Sequence, residues 1–105
     1  MKDSDIWVGI FGVAPHSDRE VLQGAEGAYV NIIGFAYDRQ NFIEKASAKM
    51  NAIGFYVFEY EDVATFEERR LANSLGPDFT AMRHSLNRDE PIKFGSFYSF
   101  DHADA

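Results

Sequence analysis

An α+β fold, one sheet of about four strands with helices packed against it, is what this sequence predicts. Three observations carry the prediction. The stretch 27–62 reads as strand, helix, strand, with a capping residue at the helix start and a glycine at its end. Strand-like segments stand on both sides of that unit, at 6–13 and 92–100. The chain also carries ten phenylalanines in 105 residues, more than a single layer of small helices could bury, so a sheet packed on helices is required.

The elements follow in order. Over 6–13, Ile6, Val8 and Ile10 fall on one side and Trp7, Phe11 and Val13 on the other. Apolar residues on both sides predict a strand covered on both faces. Gly9 and Gly12 leave room for a close neighbour, but Gly-x-x-Gly inside a strand is not the Gly-x-Gly-x-x-Gly of a phosphate-binding turn. Residues 14–26 are polar, and Ser17-Asp18-Arg19-Glu20 has the form of a capping box. One or two helical turns and a plain surface loop both remain open there.

The segment 28–37 is the clearest strand: Tyr29, Asn31, Ile33 and Tyr37 share one side, while Ala28, Val30, Ile32, Gly34 and Ala36 share the other. The small-residue side suits a helix lying close against it. Asp38 is placed to cap that helix, whose apolar stripe is Ile43, Ala46, Met50 and Ile53 with Phe42 alongside. Gly54 ends it at a left-handed position. The next strand, 55–62, puts Tyr56, Phe58 and Tyr60 on one side and Phe55, Val57, Glu59 and Glu61 on the other. Strand, helix and strand so closely joined imply a right-handed crossover between parallel strands, both central to the sheet.

Thr65-Phe66-Glu67-Glu68 is a second capping box, opening a helix with Leu71 and Leu75 that Gly76-Pro77 stops. Asp78 then caps a further helix with Phe79, Met82 and Leu86 in a stripe. After a polar break, the last strand runs 92–100, with Ile92, Phe94, Tyr98 and Phe100 on one side and Gly95 and Phe97 on the other. The sum is a single domain over 1–105: a mixed sheet with helices mainly on one face, in the broad manner of ferredoxin-like folds.

Composition narrows the function. The net charge of −7, from 17 acidic and 10 basic residues, opposes binding to a nucleic-acid backbone or an anionic membrane surface. It suits a partner with a basic face, or simple solubility. With no cysteine there is no disulfide, thiolate metal site or Cys nucleophile. The start lacks a signal-peptide segment and no run reaches membrane-spanning length, so a cytoplasmic protein is expected.

Chemistry-bearing groups are sparse. The acidic set Glu59, Glu61, Asp62, Glu67 and Glu68 is the densest. Paired carboxylates can share a proton or hold a hard cation, yet such a metal site needs further oxygen ligands, and Glu67 and Glu68 already serve a helix start. A solvated strand end is the plainer reading. His16, His84 and His102 have no partners at zinc-site spacing, with Asp101 and Asp104 near His102 making at most a weak metal-binding tail. No serine lies in Gly-x-Ser-x-Gly, and Ser96 after Gly95 sits in a strand. No catalytic residue, metal or cofactor is therefore assigned. The tyrosines at 29, 37, 56, 60 and 98 fall mostly on strands. A sheet face left open would gather several of them into a partner or dimer surface, unless the later helices cover it.

The acidic run Glu59-Tyr60-Glu61-Asp62 with Glu67-Glu68, interleaved with aromatic rings, resembles the surfaces of bacterial immunity proteins, the inhibitors encoded beside polymorphic or contact-dependent toxins. The likeness is one of class and is carried by no shared motif. It implies a non-enzymatic protein that occludes the active site of a cognate basic toxin such as a nuclease. Glu59, Glu61, Asp62, Glu67, Glu68, Tyr56 and Tyr60 would make the contact, carboxylates steering association and aromatics anchoring it. The alternatives are a dimeric ferredoxin-like small-molecule binder or enzyme, with Tyr29, Asn31, His84 or Ser96 converging between sheet and helices, and an accessory subunit of a larger assembly.

Overall fold

The computed structural model describes residues 5–16 and 26–100. Seven elements follow in order: β1 (Ile6–Pro15), β2 (Gly27–Phe35), α1 (Arg39–Ala52), β3 (Phe55–Thr65), α2 (Phe66–Leu71), α3 (Pro77–Ser85) and β4 (Ile92–Phe100). The strands form one sheet in the order β3-β1-β2-β4. The α+β class and the four-stranded sheet are as the sequence predicts. The capping box expected at 17–20, the tail group at 101–104 and the choice between helix and loop after Pro15 lie outside the described residues.

The β2-α1-β3 unit forms with the expected directions, but β1 lies between its two strands. β2 and β3 run the same way, each paired antiparallel to β1, and β4 pairs antiparallel to β2. Every hydrogen-bonded pair is thus antiparallel. β2 is central, as expected, whereas β3 is an edge strand, which changes what it exposes.

α1 forms where predicted and for the predicted reasons. The Asp38 carboxylate accepts the Asn41 amide at 2.7 Å, satisfying a donor of the first turn. Gly54, at φ 100°, turns the chain out of the helix in the left-handed region that disfavours a side chain. Phe42, Ala46 and Met50 are fully buried. They pack on Phe11 and Val13 of β1 and on Ala28, Val30 and Ile32 of β2, so the small-residue side of β2 does lie under the helix.

The helices divide between the two faces, which corrects the expectation that they lie mainly on one. Phe66 of α2, Phe79 of α3 and Leu86 just beyond it form a second core with Ile6, Val8 and Ile33, the opposite sides of β1 and β2. This is why β1 is apolar on both sides: each side meets its own helical layer. α2 is shorter than predicted. It ends at Leu71, which is exposed, and Leu75 lies in the link to α3. Thr65 caps it through the Glu68 amide at 3.1 Å, while the Thr65 hydroxyl donates to the Glu68 carboxylate at 2.9 Å. α3 starts at Pro77, with Gly76 as its cap and no side-chain cap bond. Pro77 therefore opens a helix, and Asp78 is left for another contact.

Arg69 fastens this second layer. Its guanidinium donates to the Asp62 carbonyl at 2.8 Å and to the Ser74 carbonyl at 2.9 Å, and lies 5.8 Å from the centre of the Phe79 ring. One side chain thus joins the end of β3, the α2–α3 link and α3.

Candidate functional site

The site is built on β3, where strict alternation fails. Gly12 of β1 pairs with Glu59, but Val13 pairs with Val57, leaving Phe58 as an extra residue. Such a bulge turns two successive side chains to one face. A Cβ built on Gly12 would meet both Phe58 and Glu59, placing both on the face opposite α1. Beyond the bulge, Tyr60 returns to the α1 side, 6.2 Å from Phe11 and beneath the Arg39 guanidinium at 5.4 Å. The strand therefore puts Tyr56, Phe58, Glu59 and Glu61 together, where strict alternation separates the aromatics from the carboxylates. A second irregularity in β3, between the partners of Val8 and Ile10, holds Asp62 at φ 54°.

Among the described residues, α2 and α3 form a buried core on this face over its Ile6, Val8 and Ile33 end. At the other end three rings cluster: Tyr29 lies 5.4 Å from Phe100 and 6.4 Å from Phe58, and Phe58 lies 6.1 Å from Phe100. The Tyr29 hydroxyl donates to the Glu59 carboxylate at 2.5 Å, fixing that charge beside the rings. This hydrogen bond, with partial desolvation and the charges of Glu59 and Glu61 behind it, holds the Tyr29 phenol above its ordinary 10.0. Tyr98, opposite Tyr29 in β4, donates to Asp78 of α3 at 3.1 Å, and that bond and charge raise its phenol likewise. Tyr56, Phe58 and Tyr98 are 49%, 45% and 56% exposed, so among the described residues no layer covers this aromatic end. Ala14, Glu26, Tyr56, Phe58 and Phe100 enclose a depression of about 240 Å³, below the size usual for a ligand pocket and suited to one inserted side chain.

Of the seven residues the sequence singles out, Tyr56, Glu59 and Glu61 share this face. Tyr60 is on the α1 side, Asp62 sits at the β3 irregularity, and Glu67 and Glu68 lie in the first turn of α2, Glu68 in its capping box. Tyr29, Phe58 and Phe100 complete the surface. Tyr29 was legible as a strand tyrosine, but the two phenylalanines were not distinguishable from core residues without the bulges. Tyr37 stands outside the strand, 93% exposed, with the Lys45 ammonium 5.6 Å from its ring.

The other groups considered do not converge. The His16 ring bonds the Asn51 side chain at 2.8 Å, while His84 lines a cleft between α2 and α3 that includes none of Tyr29, Asn31 or Ser96. Among the described residues no three His, Asp or Glu side chains are grouped as metal ligands, and no helix is long and apolar enough to cross a membrane. Compared with protein-family models, curated proteins and solved structures, the chain matches none.

Proposed function

We propose that this chain is a non-enzymatic acidic binding protein, an immunity-type inhibitor that neutralises a cognate basic toxin such as a nuclease by covering its active site. The observation that carries this reading is the end of the sheet that no described helix covers. There Tyr29, Tyr56, Phe58 and Phe100 form one aromatic surface with Glu59 tied to it by the Tyr29 hydroxyl. Half-exposed aromatic rings are the usual anchors of a protein interface, and carboxylates beside them favour Arg and Lys on the partner. The depression between Tyr56 and Phe58 has room for such a side chain, its cation stacked on a ring. The net charge of −7 adds long-range attraction to a basic surface.

Contact is assigned to Glu59, Glu61 and Tyr56 with the three-ring cluster. Asp62, farther along β3, and Glu67 and Glu68, in the first turn of α2, contribute steering charge. The test is co-expression with a toxic basic protein encoded by a neighbouring gene. The wild-type chain should restore growth, and the double variant Glu59→Lys/Glu61→Lys should fail to do so while still unfolding cooperatively as a folded protein. Undiminished protection by that variant would overturn the assignment of the face.

A further inference from the structure

The geometry points to a second site: the cleft between α2 and α3 binds a small organic anion, with an apolar body against Phe66 and Leu75 and a carboxylate or phosphate held by Arg70, Arg83 and His84. The cleft measures about 520 Å³, within the range of pockets that hold small ligands. Phe66, nearly fully buried, forms an apolar part of its wall. Among the described residues two arginines and a histidine line it and no Asp or Glu does, in a chain whose acids outnumber its bases 17 to 10.

Cations in the last turn of a helix suit its dipole, which accounts for where Arg70, Arg83 and His84 stand in the sequence. It does not account for two helix ends facing one cleft that also holds an apolar wall. The neighbouring arginines make the contrast plain. Arg69 spends its guanidinium on the Asp62 and Ser74 carbonyls, whereas among the described residues the Arg70 guanidinium has no hydrogen bond or ion pair. A guanidinium offers paired donors that match the two oxygens of a carboxylate or phosphate. The Asn73 amide and the Thr80 hydroxyl, also in the lining, add neutral donors. None of these residues belongs to the aromatic face, so this site stands or falls independently of the inhibitor reading.

Amide NMR titration of the full chain tests it, with phenyl phosphate, benzoate, neutral benzamide and inorganic phosphate as probes. Phenyl phosphate or benzoate should shift α2 and α3 resonances saturably, at least about tenfold more tightly than benzamide. The tighter of the two identifies a phosphate ester or a carboxylate as the natural ligand. Arg70→Gln should weaken that binding about fivefold or more, and Thr80→Phe, which fills the cleft, should abolish it, with both spectra otherwise folded. No saturable shift by about 10 mM probe, equal binding of benzamide, inorganic phosphate binding as tightly as phenyl phosphate, or an unaltered Arg70→Gln would each overturn the proposal.

Discussion

Trp7 lies on the α1 side of β1, its indole N–H buried and without an acceptor among the described residues. A donor left unpaired in the folded state gives up its bond to water, so the ring stabilises the fold through its apolar area alone. Trp7→Phe should then change stability by no more than about 1 kcal/mol, whereas Trp7→Ala should cost about 3 kcal/mol or more. Chemical denaturation of the two variants checks this. Tyr29 and Tyr98 give the residue scale a pH signature. Both phenols are held above 10.0 by donating to a carboxylate, Glu59 and Asp78 respectively. A group whose pKa is raised in the folded state contributes stability that is complete below its unfolded value and is lost as pH rises through the folded one. Absorbance titration should show the Tyr29 and Tyr98 phenols ionising late, above about pH 10, and thermal midpoints should fall as pH rises through that range. The double variant Tyr29→Phe/Tyr98→Phe should lose the late ionisations and flatten that fall.

Local chemistry fixes the elements more firmly than their neighbours in space. α1 was legible from Asp38 to Gly54 because its cap, stripe and stop are all short-range. The two-sided apolar pattern of β1 and the small-residue side of β2 were legible for the same reason, since period two reports burial directly. The edge position of β3 was not, because pairing partners are set by β1 entering between β2 and β3. The bulges were also hidden. In β3 an extra residue at Phe58, and in β4 a shift between the partners of Val30 and Ile32, redirect the side chains that follow. The aromatic and acidic groups that strict alternation would separate therefore meet on one face. Arg69 carried no sequence signal, since its partners are the carbonyls of Asp62 and Ser74. A lysine cannot reproduce its planar fork. Arg69→Lys should cost about 1–2 kcal/mol, the loss of a charged hydrogen bond, and hydrogen exchange should show the loosening confined to α2, α3 and the end of β3.

Among the described residues, α1 packs on one face of the sheet, and α2 with α3 pack on part of the other. The open remainder meets an edge strand bearing Glu59, Glu61 and Asp62. Charges and bulges on an exposed edge oppose pairing with stray strands, and in the proposed function the same residues face a partner of opposite charge. The central claim is that this acidic aromatic end recognises a basic protein, and stopped-flow association with a basic protein encoded by a neighbouring gene tests it most directly. The rate constant should fall steeply as salt rises, and Glu59→Lys/Glu61→Lys should lower it at least about tenfold at low salt and flatten its salt dependence. An association rate that is independent of salt and unchanged in the double variant would contradict the account.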